Sequence, residues 1–155
     1  MSVFCDSSAL VKLYVDEADH ELIRELAVIV ISDLARVEVA SAIWRKHRLG
    51  EIEREDAAVL IGDFEADLAA DDVNSPRFST VAPGRSVLDR AAELVEQHGL
   101  RAYDAVQLGS AAIAREVDPD CGEFACFDQD LRSAAEAVGF DLIPASPEPA
   151  AQQAR

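Results

Sequence analysis

Thirty of the 155 residues are Asp or Glu, and four of them stand out by where they fall. Asp6 follows the apolar run Val3-Phe4-Cys5 directly, and Asp128 follows the run Glu123 to Phe127 in the same way. If both runs are parallel strands of one sheet, the two carboxylates share a rim. Each could simply cap the helix that follows, a reading that equivalent placement at two strands weakens. Glu38, between Val37 and Val39, shares a helical face with Leu34, Ser41 and Arg45, a partly apolar face where a carboxylate is costly unless compensated. Spacing alone places its side chain in solvent or against a nearby arginine. Asp104 opens a helix whose next turns (Ala105, Val106, Leu108, Ala111, Ala112) are small and apolar, so the acid lies close to the core. An acid in a first turn is common because the helix dipole favours it.

Four carboxylates that converge cannot all stay ionised unaided. Two unit charges 4 Å apart cost about 4 kcal/mol at an effective dielectric near 20, so either some are protonated or a divalent cation neutralises them. An all-oxygen site selects Mg²⁺ or Mn²⁺ rather than zinc. An ion held in this way can activate water and offset charge on a phosphoryl group, with no side-chain nucleophile required.

Strands alternating with helices must position these acids. Strands are expected at 3–5, 28–31, 78–82, 123–127 and 140–143, the second being four β-branched residues of the kind buried on both faces. Helices are expected over Ser8–Val15, Glu17–Ala27, Ser32–Leu49 with Ser32 as cap and Gly50 as stop, and Glu53–Asp71 with the stripe Ala57, Leu60, Ile61, Phe64 and Leu68. Asp71–Pro76 reads as a loop. Three more helices follow: Ser86–His98 with a capping-box spacing of Ser86 and Asp89, Ala102–Glu116, and Gln129–Val138. This alternation predicts an α/β fold, a three-layer α/β/α sandwich around a central parallel sheet. Ligands of such sheets gather beyond the carboxyl ends of the strands at a topological switch point. Residues 1–143 are expected to form one domain and 144–155, rich in Pro, Ala and Gln, a disordered tail.

Half the residues are apolar and 28% charged, which excludes wholesale disorder, collagen and coiled coil. No apolar run approaches the length of a membrane span, and Asp6 and Lys12 interrupt any secretory signal, so a cytoplasmic protein is expected. The formal charge is −16, and Lys12 and Lys46 are the only lysines. Such a chain repels phosphate backbones at long range, which disfavours a general nucleic-acid coat and leaves room for an enzyme with a local basic patch. Cys5, Cys121 and Cys126 form no C-x-x-C and no zinc pattern. Cys5 and Cys126 read as buried small hydrophobes, and none of the three histidines reads as catalytic.

Four segments in order, Asp6-Ser7-Ser8-Ala9-Leu10-Val11-Lys12, Leu34 to Ala42, Gly99 to Leu108, and Phe127-Asp128-Gln129-Asp130-Leu131, resemble the signature blocks of PIN-domain ribonucleases, above all the VapC-type toxins of toxin–antitoxin pairs. The resemblance spans roughly Val3 to Ile143. It implies an endoribonuclease that hydrolyses RNA phosphodiesters with Mg²⁺, Mn²⁺ substituting, held by Asp6, Glu38, Asp104 and Asp128. Asp130 is the alternative to Asp128, and Ser7 and Ser8 fall where polar groups steady the site. It also implies a homodimer and a small VapB-type antitoxin covering the cleft. Arg36, Arg45, Arg48 and Arg101 are the candidates for meeting RNA. One departure is Cys126, where the family often carries Thr or Ser, since a thiol is the poorer hydrogen-bond donor. Two other functions compete with this one. A partner-binding protein with vestigial acids is countered by the four intact carboxylates. An aspartate-based phosphatase needs a second aspartate where Ser8 stands.

Overall fold

The computed structural model describes residues 1–69 and 75–146. Five strands, β1 (Val3–Cys5), β2 (Ile29–Ser32), β3 (Phe78–Val81), β4 (Glu123–Ala125) and β5 (Asp141–Ile143), form one sheet in the order β3-β2-β1-β4-β5. Every pairing is parallel, with Val3 opposite both Ile29 and Glu123. The chain builds outward from β1 to β3 and then returns to lay β4 against the other side of β1. The crevice between β1 and β4 is therefore the switch point.

Strand alternation divides the core in two. Val3, Cys5, Ile29 and Ile31 point to one face. There they meet α1 (Ser7–Leu10), α3 (Ala35–Arg48) and α4 (Arg54–Leu68) through Ala9, Leu10, Val39, Ile43, Ala57 and Phe64. Phe4, Val30 and Phe124 point to the other face, towards α5 (Arg85–His98), α6 (Ala102–Val117) and α7 (Gln129–Ala137). The expected three layers are present. Phe4 and Phe124, on adjacent strands, stack with ring centroids 5.6 Å apart, a cross-strand aromatic pair that ties β1 to β4.

Several boundaries differ from expectation, each for a local reason. The helix expected over Ser8–Val15 gives way after Leu10 to a 3₁₀ turn at Val11–Leu13. The helix expected over Glu17–Ala27 is only α2, His20–Arg24. Lys12 accounts for the second loss: its ammonium donates to the Ala18 carbonyl at 2.7 Å and meets Glu17 at 3.1 Å, holding that segment as a turn. Ser32 ends β2 instead of capping α3, and its hydroxyl accepts from the Leu34 N–H one turn early. Gly84, not Ser86, precedes α5, so no capping box forms. β4 ends at Ala125: Cys126 N–H still reaches the Ile143 carbonyl at 3.0 Å, but the donors after it turn to side chains, Phe127 N–H to Ser8 Oγ and Asp128 N–H to Cys126 Sγ. Val28 lies outside β2 and is 48% exposed. Most of the expected loop at Asp71–Pro76, and of the expected tail at 144–155, lies outside the described residues. Pro144, which is described, is held by Arg132, whose guanidinium donates to its carbonyl at 2.7 Å. Among the described residues, no helix is long and apolar enough to cross a membrane.

α5 and α6 pack closely at Gly109. A Cβ there would lie 3.0 Å from the Val87 carbonyl oxygen and 3.2 Å from the Ala91 nitrogen, both backbone atoms. Neither can yield without moving α5. Gly109→Val is expected to cost about 2 kcal/mol from overpacking. Its melting point should fall by several degrees, at about 2–4 °C per kcal/mol for a chain of this size, which scanning calorimetry would register. An unchanged melting point would show that the two helices tolerate separation.

Candidate active site

Each acid is delivered by a different element. Asp6 leaves β1 at its carboxyl end and caps α1: Oδ1 accepts from the Ala9 N–H at 3.0 Å and from the Ser8 hydroxyl at 2.6 Å. Its other oxygen accepts from the Cys126 thiol at 3.3 Å. The side chain is buried, and that burial pushes its pKa up to about 6. The three donors pull the other way, and the charge of Glu38 adds to the rise. Capping and rim placement, alternatives on sequence grounds, are both true of this residue. They are both true of Asp128 as well, whose Oδ1 accepts from the Leu131 N–H at 3.0 Å at the start of α7.

Glu38 sits in the first turn of α3 and is half-buried. It turns neither to solvent nor to an arginine. Oε1 accepts from the Gln107 amide at 3.3 Å, and the Ser7 hydroxyl is a second donor. Burial raises its pKa, Ser7 and Gln107 oppose the rise, and Asp104 adds to it. Asp104 lies in the first turn of α6 and meets the Arg101 guanidinium at 3.0 Å. The same guanidinium reaches Asp128 at 3.5 Å. The four acids are thus linked in a row: Asp6 feels Glu38, Glu38 feels Asp104, and Arg101 joins Asp104 to Asp128. Among the described residues, no three Asp, Glu, His or Cys side chains are placed to hold one ion together. Asp130 is exposed in the first turn of α7, where its charge acts on Arg101.

Cys126 is more than a buried hydrophobe. Its thiol donates to Asp6, its sulfur accepts from the Asp128 N–H at 3.3 Å, and burial followed by the Asp6 charge raises its pKa. It remains a protonated donor between two acids, so the thiol does fill the place where a hydroxyl is usual. Cys5 and Cys121 are buried free thiols.

Sequence reading missed Gln107. This amide is 1% exposed and donates to Ser7 Oγ at 3.0 Å as well as to Glu38. Its carboxamide oxygen is buried and finds no donor among the described residues. The signal was available, since Gln107 stands one helical turn after Asp104 as a polar residue in an apolar stretch. Lys12 was also passed over; besides its bonds to Ala18 and Glu17, its ammonium lies 4.2 Å from the centroid of the Phe127 ring.

The basic candidates separate. Arg45 and Arg101 line a cleft of about 840 Å³ together with Glu38 and Asp104. Lys46 lines it too, and also borders a smaller hollow with Lys12, Ser7 and Ser8. Arg36 is turned away and paired with Glu65 at 2.8 Å. Arg48 is not among the residues of either cavity.

A parallel sheet crossed over at β1, with acids at the carboxyl ends of β1 and β4 and on the two helices flanking the crevice, defines a class. The chain belongs to the PIN domain family, which matches residues 3–137. It is 31% identical over 149 residues to Ribonuclease VapC46 of Mycobacterium tuberculosis, an alignment covering 94% of this chain and 98% of that relative. Among solved structures it is similar to PAE2754 of Pyrobaculum aerophilum, at a TM-score of 0.60 and 21% identity, covering 93% of this chain and 85% of the other. It is also similar to VapC20 of M. tuberculosis, described as a sarcin-ricin loop cleaving toxin, at a TM-score of 0.59 and 18% identity over 89% of this chain and 95% of that one. A toxin–antitoxin complex from Klebsiella pneumoniae matches at 0.51 and 17% identity over 84% and 89%.

Proposed function

We propose that this protein is the toxin of a toxin–antitoxin pair, an endoribonuclease that hydrolyses RNA phosphodiesters with a divalent cation, Mg²⁺ or Mn²⁺, around which Asp6, Glu38, Asp104 and Asp128 would have to draw together. Ribonuclease activity follows from membership of the PIN domain family and from the VapC46 relative. The single observation that carries the metal is the pairing of Asp6 with Glu38. Both are buried or half-buried, both are pushed towards protonation, and their hydrogen-bond donors among the described residues are neutral: Ser7, Ser8, Ala9, Gln107 and Cys126. Carboxylates held so, with no cation of the protein's own, fit a hard divalent ion.

A bound ion of this kind supplies a nucleophilic water near neutral pH and offsets charge gathering on the phosphoryl oxygens. The residues of the chain prepare for it. Ser8, Ala9 and Cys126 fix both oxygens of Asp6, while Ser7 and Gln107 orient Glu38. Among the described residues, Arg101 is the one cation paired with acids of the row, lying across Asp104 and Asp128 as an interim counter-charge. A small antitoxin is the expected partner, and a homodimer the expected assembly. RNA as substrate is expected to approach along the cleft of Arg45 and Arg101, because a chain of formal charge −16 needs local positive charge to receive a phosphate backbone.

The test is cleavage of a mixed-sequence RNA with Mn²⁺, beside calorimetric titration of Mn²⁺ into wild type, Asp104→Asn and Arg101→Ala. Wild type should cut and Asp104→Asn should not. Because Arg101 must leave the acids as the ion arrives, Arg101→Ala should bind Mn²⁺ about two- to fivefold more tightly, the scale of one exposed ion pair. A wild type that leaves RNA intact, or Mn²⁺ binding indifferent to Asp104, would sink the proposal.

A further inference from the structure

Among the six Phe, two Tyr and one Trp, Tyr103 alone is exposed, at 61%. The other tyrosine, Tyr14, is half-buried, edge-on to Phe64 with its hydroxyl donating to Asp67 at 2.6 Å. Water is a poor surrounding for so large a ring, and an aromatic left in it at a cleft wall is poised for a flat partner. Tyr103 stands next to Asp104 in the chain and lines the same cleft as Glu38 and Asp104.

The charge of that cleft indicates which partner. Arg45, Lys46 and Arg101 line it against Glu38, Glu51 and Asp104, so bases equal acids there in a chain where acids outnumber bases 30 to 14. It is a local relief from a surface that otherwise repels phosphate. An aromatic face that shares a cleft with guanidinium groups is the chemistry that takes an unpaired nucleotide, the ring for the base and the cations for the phosphates.

We propose that Tyr103 is a base platform, on which an unpaired nucleotide next to the cleaved phosphodiester lays its base while Arg45 and Arg101 take its phosphates. This deepens the ribonuclease reading and rests on it: Tyr103 selects single-stranded over base-paired RNA at the cut and favours bases that stack well.

The experiment compares wild type, Tyr103→Ala and Tyr103→Phe. Affinity for a fluorescein-labelled single-stranded RNA of mixed sequence is read by anisotropy in Ca²⁺, and KM and kcat are read in Mn²⁺. Losing one stacked base should weaken binding and raise KM about 5- to 100-fold, with kcat changed far less, and Tyr103→Phe should restore binding to within about twofold. On RNA carrying an abasic site beside the mapped cut, the penalty of Tyr103→Ala should vanish. A Tyr103→Ala protein that binds and cuts as wild type overturns the platform while leaving the nuclease intact. A later elution of that variant on size exclusion would then assign the ring to contact between copies of the chain. A Tyr103→Phe protein as defective as Tyr103→Ala also overturns it, because the hydroxyl would then be what matters. Wild type that binds RNA with Tyr103-dependent affinity but never cuts it supports the platform and overturns the nuclease.

Discussion

Asp6→Asn is expected to lose at least about a hundredfold in Mn²⁺-dependent RNA cleavage and yet melt several degrees higher than wild type at about pH 8 in the absence of divalent ions. The two effects share one cause. The folded-state pKa of Asp6 is near 6, against 3.8 for the ordinary side chain. Below the lower value both states hold the proton and nothing is lost. Between the two values the folded state holds it more firmly than the unfolded chain, so stability falls as pH rises. Above about pH 6 the full penalty is in place, about 3 kcal/mol at 1.36 kcal/mol per pKa unit. Asparagine keeps an oxygen for the Ala9 N–H and the Ser8 hydroxyl and carries no charge to desolvate. Removing the penalty should raise the melting point by about 2–4 °C per kcal/mol, while a neutral amide cannot hold the ion. Melting curves from about pH 4 to 8 measure this: wild type should lose stability across the range and Asp6→Asn should lose much less. If the variant were less stable throughout, the carboxylate would be a structural cap and not a strained ligand.

Gln107→Leu should reduce cleavage by about 10- to 100-fold, the scale of one hydrogen bond to a charged group, with the loss falling mainly on kcat. Leucine fills a similar volume, so the site stays packed, and the buried carboxamide oxygen that lacks a donor is removed with it. What disappears is the amide donor on Glu38, one of the two groups that hold its pKa down. The Glu38 carboxyl should therefore titrate at higher pH, and the acid limb of the pH–rate profile should move upward with it. Gln107→Asn, whose amide is one methylene short of Glu38, should resemble Gln107→Leu. A profile that stays in place in Gln107→Leu would show that the amide matters only for packing.

How much of this was legible beforehand follows from how local each signal is. β1, with Asp6 at its end, and β2 were readable because their apolar runs are short and sharply bounded. Gly99 closes α5 in the left-handed region, at φ 64°, as a terminal glycine should. The segment between Lys12 and Glu25 was misjudged because its shape is set by an ammonium reaching back to a carbonyl and a carboxylate, a tertiary contact that helical periodicity does not register. Ser32 and Ser86 carried good capping chemistry, yet strand pairing at one and Gly84 at the other set the helix starts elsewhere. In the site, Asp6 and Asp128 were visible from strand ends. The orientation of Glu38 was not, because it depends on Gln107, 69 positions along the chain. Cys126 was underrated for a similar reason: a poor donor is sufficient when burial leaves a carboxylate few alternatives.

The order of the strands has a consequence for synthesis. Asp6 and Glu38 belong to the part of the chain that leaves the ribosome first, and Asp104 and Asp128 to the part that leaves last. β4 has to slot in beside β1 before the two sets face each other. Until then the emerging polypeptide has only half of the four acids and no crevice, so the proposed site cannot assemble before synthesis of the domain is nearly finished.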